Sequence, residues 1–309
     1  MKRLAFIGLG VMGVPMAANL ERAGFAVQSY DIKGNGNRQS IREAARGAEA
    51  LITMLPDGDA VRDAVLSAMP HLTAGCVVVD MSSSDPLGTR ALGIVLESNG
   101  ISFVDAPVSG AVVGARDASL AIMAGGEKSA FERVRPVLEA MGKSIFHVGP
   151  LGAGHAVKAL NNYLGAAGTL AGFEALLIAQ AFELDPKPML DAINASTGRN
   201  STTERKIGRD VLTGAFASGF KLALMTKDVG IAAALSKDLK LHTPFLSETL
   251  RLWREAKKML AKDADHSEIY KYQQKLARQR SAGARKILSP SRGAASRRPK
   301  RSQKRRRST

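Results

Sequence analysis

A glycine motif at the start of the chain restricts the fold more than any other feature. Residues 2–20 read KRLAFIGLGVMGVPMAANL, in which a short apolar run enters Gly8-x-Gly10-x-x-Gly13 and continues as a helical pattern. In a strand–turn–helix unit, the first glycine permits the tight turn, the second lets a phosphate approach the backbone, and the third packs the helix against the strand. The helix N-terminus then faces the anion. The motif predicts a Rossmann-type unit whose dinucleotide pyrophosphate is bound by Gly8, Leu9, Gly10, Val11, Met12 and Gly13.

A carboxylate follows the second predicted strand. Residues 26–30 form an apolar run that ends in Asp31, roughly 20 residues after the motif, where dinucleotide-binding units place an acidic residue. Such a carboxylate accepts hydrogen bonds from the adenosine ribose and repels a 2′-phosphate, so Asp31 predicts NAD as the cofactor. Lys33 and Arg38 follow closely and would suit a phosphate, which leaves NADP as an alternative. A turn residue ahead of Gly34 is the other interpretation of Asp31.

The composition is that of a globular protein without disulfides or a metal cluster. With 309 residues and 45% hydrophobic content, the chain is long enough for two compact domains. Cys76 is its single cysteine, so no disulfide framework can form, and the sequence opens without a cleavable signal; we expect a cytoplasmic protein. The five histidines show no clustered spacing, so the sequence predicts no metal site.

Most of the net charge lies in the last segment of the chain. Residues 277–309 contain 13 Lys or Arg and no Asp or Glu, in a chain whose net charge is +16. The segment lacks apolar periodicity, so we predict a disordered basic tail. A solvated appendage without a dedicated partner is the favoured interpretation, and weak, nonspecific binding to polyanions is the alternative. This tail supports a second hypothesis for the whole protein: a non-catalytic, cofactor-sensing binding protein that is recruited to nucleic acid.

The pattern changes from alternating strands and helices to helices alone near residue 152. Residues 1–152 favour an α/β domain with a doubly wound, parallel Rossmann-type sheet and its ligand at the carboxyl ends of the strands. Residues 153–276 predict an all-α domain that serves the substrate and oligomerisation. We expect loops that follow the strands to line the site, among them those with Pro56, Ser83 and Ser109.

Residues 155–182 form a long helical stretch that is apolar almost all round. A membrane span and a helix buried within a protein core are the two interpretations of such a pattern. Polar residues interrupt the stretch, which favours the buried helix and argues against a membrane. These residues are Lys158, Asn161, Asn162, Glu174 and Gln180.

Three further motifs together indicate a family. DAPVSG at residues 105–110 follows a strand, GPLGAG at residues 149–154 opens the helix that carries Lys158, and MTKD at residues 225–228 lies in a later helix. With the glycine motif, these segments resemble the β-hydroxyacid dehydrogenase family, which includes 3-hydroxyisobutyrate dehydrogenase and tartronate semialdehyde reductase. The resemblance extends over residues 2–273.

The resemblance implies an activity and roles for individual residues. Members of the family interconvert a short 3-hydroxy acid and its semialdehyde by hydride transfer with a nicotinamide cofactor, and they form dimers or tetramers. Lys158 matches the lysine that acts as general acid/base, and Asn162, one helical turn later, would orient the substrate beside it. Ser109 and Gly110 match the loop that binds the substrate carboxylate. The cofactor contacts predicted in addition to the glycine motif and Asp31 are Leu55, Pro56, Ser83 and Lys227.

Some residues depart from the family pattern. Ala111 stands where a second glycine usually follows Ser-Gly, and Ala118 stands where another glycine is common; both predict a narrower pocket or a changed turn. The segment between Asp31 and the strand at Leu51 is shorter than is usual, so a short third strand and part of its helix are predicted to be missing. Because that strand borders the adenosine, we expect weaker cofactor affinity or a changed choice of cofactor.

Overall fold

The computed structural model describes residues 1–288, with side chains through residue 278. The strands are β1 (Arg3–Ile7), β2 (Ala26–Tyr30), β3 (Ala50–Thr53), β4 (Val77–Asp80), β5 (Ser102–Asp105), β6 (Val108–Ser109), β7 (Leu120–Gly125) and β8 (Gly142–Gly149). The α-helices are α1 (Gly13–Arg22), α2 (Ile41–Ala45), α3 (Gly58–Ala68), α4 (Pro86–Glu97), α5 (Ala111–Arg116), α6 (Lys128–Glu139), α7 (Ala153–Ala181), α8 (Pro186–Asn194), α9 (Leu222–Asp238), α10 (Pro244–Met259) and α11 (Ile269–Leu288). A π-helix spans Thr202–Val211.

A mixed sheet of eight strands forms the core of the N-terminal domain. The strands β2-β1-β3-β4-β5 are parallel, and β7 then joins β5 in the antiparallel direction and pairs with β6 and β8. The predicted Rossmann-type domain followed by a helical region is therefore confirmed, whereas the prediction of a wholly parallel sheet is wrong. The connection from β6 to β7 contains only the short helix α5, and parallel neighbours need a longer crossover.

Both faces of the sheet are covered. Alternate residues of β1 enter separate hydrophobic clusters, with Leu4 and Phe6 on one face and Ala5 and Ile7 on the other. The strands β3 and β4 are buried along their whole length. This double burial explains why both strands have continuous apolar sequences instead of an alternating pattern.

Aspartate side chains start the helices that follow β3 and β4. Asp57 accepts a hydrogen bond from the Ala60 N–H at 2.9 Å, and Asp85 accepts one from the Gly88 N–H at 2.6 Å. Each carboxylate satisfies a main-chain N–H that the first helical turn leaves unpaired. The loops that precede α3 and α4 are therefore short and end at fixed positions beside the carboxyl ends of the strands.

Within the described residues β2 is an edge strand, as the short segment after Asp31 predicts. The side chain of Asn37 makes hydrogen bonds of the kind that the backbone of an outer strand would make. Its side chain accepts a hydrogen bond from the Ser29 N–H at 2.8 Å and donates one to the Val27 carbonyl at 2.9 Å. The Arg38 N–H also donates to the Ser29 carbonyl, at 3.0 Å. One asparagine thus satisfies two main-chain groups at this edge of the sheet.

The 29-residue helix α7 is the central helix of the C-terminal domain. It is long and apolar enough to span a membrane by length and composition alone. Its buried side packs against other helices in a cluster that includes Phe173 and Trp253, both with no exposed surface. This packing is typical of a core helix, in agreement with the prediction.

The last described helix extends beyond the predicted domain boundary. The sequence analysis begins the disordered tail at residue 277, whereas α11 continues to Leu288. Residues 277–288 are rich in Ala, Arg, Gln and Lys, which favour helix, and they prolong a helix whose start is buried at Ile269 and Tyr270. The rest of the predicted tail, residues 289–309, lies outside the described residues.

Two alanines adopt a backbone conformation that favours glycine. Ala111 has φ +55° and Ala118 has φ +51°. They are the positions at which the family resemblance leads us to expect glycine, so both turns keep left-handed backbone despite the substitution. A β-carbon in this conformation costs roughly 1–2 kcal/mol per residue.

We expect Ala118→Gly to raise the free energy of unfolding by about 0.5–1 kcal/mol, because glycine adopts this φ without steric strain. Urea denaturation followed by circular dichroism measures the change. Ala192→Gly in the exposed part of α8 is the matched control, and it should lower the free energy of unfolding by about 1 kcal/mol. A loss of stability in both variants would contradict the strain at Ala118.

Candidate active site

The glycine motif forms a tight junction between β1 and α1. Gly8 has φ +101°, and a β-carbon there would overlap the carbonyl oxygen of Met54. A β-carbon at Gly13 would overlap the carbonyl oxygen of Gly8, whereas one at Gly10 would meet no atom within 4 Å. Packing therefore requires glycine at positions 8 and 13, while Gly10 keeps open space above the loop.

The surroundings of the loop fit a dinucleotide. Helix α1 has neither a side-chain cap nor an acidic residue in its first turn, and the N–H of Gly13 at its start makes no main-chain hydrogen bond among the described residues, so it is available to an anion. The carboxylate of Asp31 accepts hydrogen bonds from the N–H of Leu9 at 2.7 Å and of Lys33 at 2.8 Å. Val11 is exposed on the loop, and Met12 packs against the core. A helix terminus suited to pyrophosphate thus lies beside a carboxylate suited to ribose.

Lys227 joins the helical domain to two loops of the Rossmann domain. Its ammonium donates hydrogen bonds to the carbonyl of Pro56 at 3.1 Å and to the carbonyl of Ser83 at 2.7 Å. The Leu55 N–H donates to the Ser82 hydroxyl at 2.9 Å, which holds the two loops side by side. The structure therefore brings together Leu55, Pro56, Ser83 and Lys227, four residues that were predicted as cofactor contacts.

Asp228 connects Lys227 to helix α7. Its carboxylate lies 3.3 Å from the Lys227 ammonium and accepts a hydrogen bond from the Asn162 amide at 2.5 Å. Asn162 lies one turn after Lys158 on α7, and the exposed fractions of Lys158, Asn162 and Asp228 are 9%, 7% and 2%. Helices α7 and α9 therefore meet at a cluster of two lysines, one carboxylate and one amide, in which Lys227 is half-buried and the other three side chains are buried.

Opposing effects set the proton affinity of Lys158. Burial lowers the pKa of its amine, Asp228 raises it, and the positive charge of Lys227 lowers it. Burial has the largest effect, so the pKa lies below that of an exposed lysine. An amine of this kind can exchange a proton nearer to neutral pH, as general acid/base catalysis requires.

The predicted carboxylate-binding loop lies just after strand β5. Ser109 is half-buried in β6, and Gly110 has φ +138° where the chain turns into α5. Among the described residues, no hydrogen bond joins Ser109 or Gly110 to Lys158. The structure thus places this loop at the carboxyl edge of the sheet, separate from the contacts of the lysine.

Three buried ionisable residues lie close to this cluster, and the sequence analysis gave none of them a functional role. Asp80 ends β4, Asp105 ends β5 and His155 lies one turn before Lys158; none is more than 1% exposed. His155 Nε2 lies 3.4 Å from Asp80, and Nδ1 lies 3.7 Å from Asp105. The available signal was an aspartate at the end of two apolar strands, because buried aspartates are rare unless they are paired.

A cavity of about 350 Å³ lies beside the Lys227 contact, between α3, α4 and α9. Ser83, Lys227 and Ile231 contribute to its lining, whereas Lys158 and the glycine motif do not. The cavity therefore borders Lys227 without reaching Lys158 or the glycine motif.

Two family models match consecutive parts of the chain. Residues 3–149 match the NAD binding domain of 6-phosphogluconate dehydrogenase. Residues 152–273 match the NAD-binding domain of NADP-dependent 3-hydroxyisobutyrate dehydrogenase. Together with the glycine loop and the carboxylate beside it, these matches define an NAD(P)-dependent oxidoreductase.

Individual relatives are similar over nearly their full length. The chain is 35% identical to the 2-(hydroxymethyl)glutarate dehydrogenase of Eubacterium barkeri, with 87% of this chain and 94% of that protein covered. It is 35% identical to the NAD-dependent L-serine dehydrogenase of Pseudomonas aeruginosa, with 88% and 97% covered. The structure of the Mycobacterium tuberculosis 3-hydroxyisobutyrate dehydrogenase with L-serine superposes with a TM-score of 0.82 at 33% identity, covering 88% of this chain and 99% of that one. The chain belongs to the β-hydroxyacid dehydrogenase family, as its motifs predict.

Substitutions in the glycine motif should separate cofactor binding from folding. Gly10→Ala adds a methyl group in open space, so we expect an unchanged Tm but an NADH affinity that is lower by about tenfold or more, since the methyl group hinders the approach of the phosphates. Gly13→Ala should lower the Tm because its methyl group overlaps Gly8. Thermal unfolding and NADH fluorescence titration measure both effects. Unchanged NADH affinity in the Gly10 variant would contradict this assignment of the loop.

Proposed function

We propose that the protein interconverts a short 3-hydroxy acid and its semialdehyde, with NAD as the preferred cofactor and Lys158 as general acid/base. The observation that carries the proposal is the buried amine of Lys158 beside Asp228, in a cluster that Lys227 connects to the loops at Pro56 and Ser83. It supports proton transfer at a position next to the expected nicotinamide.

The names of the relatives support the class of substrate. The compounds in these names are 2-(hydroxymethyl)glutarate, L-serine and 3-hydroxyisobutyrate. All three carry a CH₂OH group on the carbon next to a carboxylate. This shared group supports a small acid with a primary alcohol at the 3-position as the substrate of this chain.

In the proposed oxidation, the neutral amine of Lys158 accepts the proton of the substrate hydroxyl. The hydride leaves the carbon that carries this hydroxyl. The bound nicotinamide supplies the hydride acceptor in oxidation and the hydride donor in reduction. In the reduction, the Lys158 ammonium donates its proton to the oxygen on which negative charge develops. Asp228 stabilises the ammonium, and burial stabilises the neutral amine, so both protonation states are accessible.

The remaining site residues are proposed to hold the substrate. The Ser109 hydroxyl and the N–H groups beginning at Gly110 suit a carboxylate, because they donate hydrogen bonds without adding a full charge. Asn162 is proposed to face the substrate beside Lys158, on the same side of α7, while its amide holds Asp228. When Lys158 is protonated, the two lysines and one aspartate leave one positive charge in the cluster to attract an acid.

The preference for NAD rests on Asp31 and its neighbours. The Asp31 carboxylate is held beside the glycine loop by the Leu9 N–H, where it would repel a 2′-phosphate. The Arg38 guanidinium donates to the Gln28 side chain at 3.3 Å, so it is engaged along strand β2. These contacts favour NAD over NADP.

Self-association and a cytoplasmic location are also proposed. Leu160, Leu164 and Ile178 on α7 are 47%, 69% and 70% exposed. Apolar side chains along one exposed helix face support a homodimer or homotetramer. The alternative function as a nucleic-acid-recruited sensor has no support in the comparisons, because the relatives named above are oxidoreductases; most of the basic tail on which it depends lies outside the described residues.

Replacement of Lys158 tests the proposed function. We expect Lys158→Met to lower kcat by roughly 10²–10⁴-fold, because the variant lacks the proton-transferring group. NADH oxidation over a panel of short semialdehydes, with NAD reduction by the matching 3-hydroxy acids, measures the effect. Lys206→Met is the matched control, since Lys206 is another largely buried lysine whose ammonium bonds to Thr169. Equal rates for the Lys158 variant and the unaltered protein would reject the proposal.

Replacement of Asp228 should shift the pH dependence of the oxidation. Asp228 raises the pKa of Lys158, so Asp228→Asn should lower that pKa. The neutral amine then persists to lower pH, and the acidic limb of kcat should move to lower pH by about one unit or more. Asp238→Asn, at the exposed end of the same helix, is the control and should leave the profile unchanged. A shift to higher pH would contradict the role of Asp228.

A further inference from the structure

A single buried carboxylate fastens helix α7 to the sheet. Asp105 accepts hydrogen bonds from the Gly152 N–H at 2.8 Å and from the His155 N–H at 2.7 Å, and it has no exposed surface. These N–H groups belong to the start of α7, which has no side-chain cap from its own N-cap residue. Asp105 therefore caps the helix from another domain, which satisfies N–H groups that a helix leaves unpaired.

Glycines make room for this contact. A β-carbon at Gly125 would lie 2.5 Å from a carboxylate oxygen of Asp105. At Gly154, a β-carbon would lie 2.9 Å from the other oxygen and would overlap the carbonyl of Met123. The sheet and the helix thus approach each other as closely as their backbones allow.

The His155 ring continues the contact toward β4. The Thr89 hydroxyl donates to the Asp85 carbonyl at 2.9 Å, so its 2.9 Å contact with His155 Nδ1 uses an N–H of the ring. The other ring nitrogen, Nε2, faces Asp80 at 3.4 Å. This nitrogen is buried and makes no hydrogen bond within the described residues, so the ring lies between the two buried carboxylates of Asp80 and Asp105.

We propose that Asp105 is a positioning residue that sets the place of Lys158 relative to the Ser109–Gly110 loop, with the His155 ring, 3.7 Å from its carboxylate, as a supporting contact. The proposal rests on the function proposed for Lys158. Asp105 precedes Ser109 by four residues, and His155 precedes Lys158 by three, which is about one turn of the same helix. One side chain therefore links the loop assigned to the substrate carboxylate with the amine assigned to the proton.

The charges around Asp105 determine whether it can act as an acceptor. Burial raises the pKa of Asp105, and the positive charge of His155 lowers it. The other ionisable groups that face this region are Asp80, from the neighbouring strand β4, and Arg90 of α4, which donates to the Leu151 carbonyl at 3.0 Å. A proton on Asp105 would remove an acceptor from the start of α7.

A double-mutant cycle with Lys158 separates positioning from a general structural role. Asp105→Asn keeps the size of the side chain but presents an NH₂ group to one of the two N–H donors. We expect kcat to fall by about 10- to 100-fold, because a displacement on the order of 1 Å is enough for such a loss, while the KM for NADH stays within about twofold. In Lys158→Met protein, the same substitution should change kcat by no more than about twofold, since Asp105 acts through the lysine.

Asp210→Asn is the matched control for the cycle. Asp210 is 1% exposed and pairs with Arg209 in the helical domain, so its replacement removes a buried charge elsewhere. Its effect on kcat should be the same with and without Lys158. Independent effects of Asp105→Asn and Lys158→Met would overturn the inference and leave the proposed function intact. Full activity of Lys158→Met alone would reject the proposed function itself.

His155→Gln provides a second test if Asp105→Asn does not fold. It keeps the main-chain N–H that Asp105 accepts but removes the cation that lowers the pKa of Asp105. In the reductive direction Lys158 is needed as the ammonium, which persists at acidic pH. A difference between the acidic limbs of kcat in this variant and in the unaltered protein therefore reports the protonation of Asp105. We expect this acidic limb to move to higher pH in the variant. An unchanged limb with full kcat would overturn the inference.

Discussion

The site depends on the register of four parallel strands, which end side by side at one edge of the sheet. Ile7, Thr53, Asp80 and Asp105 are paired in register across β1, β3, β4 and β5, so the loops that follow these strands leave the sheet side by side. The Thr53 hydroxyl donates to Asp80 at 2.9 Å and reinforces this row. The glycine loop, the two loops that Lys227 bridges and the Ser109 loop all begin within a few residues of it. The register of the strands thus brings loops that are distant in sequence to one edge of the sheet.

The sequence is sufficient to predict the helices and strands whose side chains are mostly buried. The glycine motif and the apolar runs of β3 and β4 define the Rossmann domain, and the apolar residues 155–182 define α7. Two elements were not predicted. Helix α6 keeps a helical spacing of its apolar residues, but Pro136 in its interior disfavours a helix, and β8 is mostly exposed and so lacks a regular alternation. The antiparallel end of the sheet also escaped prediction, because strand direction depends on the length of the connections.

The site could be predicted in part. The glycine spacing identified the loop residues from local geometry, while roles for Lys158, Asn162 and Ser109 came from the family resemblance. Asp105 and His155 were not assigned roles, because their function depends on a contact between segments that lie far apart in sequence. The same holds for the influence of Asp228 on Lys158, since the balance between burial and an opposite charge becomes visible only in three dimensions. Sequence motifs thus identify the candidate side chains, and three-dimensional packing determines their proton affinity and their contacts.

The side chain of Asn37 pairs two main-chain groups at the edge of β2, whereas in most sheets the backbone of a neighbouring strand pairs such groups. Where a complete outer strand makes a ladder of backbone contacts, any one side chain can change with little consequence, because the backbone itself forms the bonds. At Asn37 the bonds belong to the amide of one particular residue. Two of the main-chain groups at this edge of the domain therefore depend on the identity of a single amino acid, and a substitution of Asn37 would leave both without their partner.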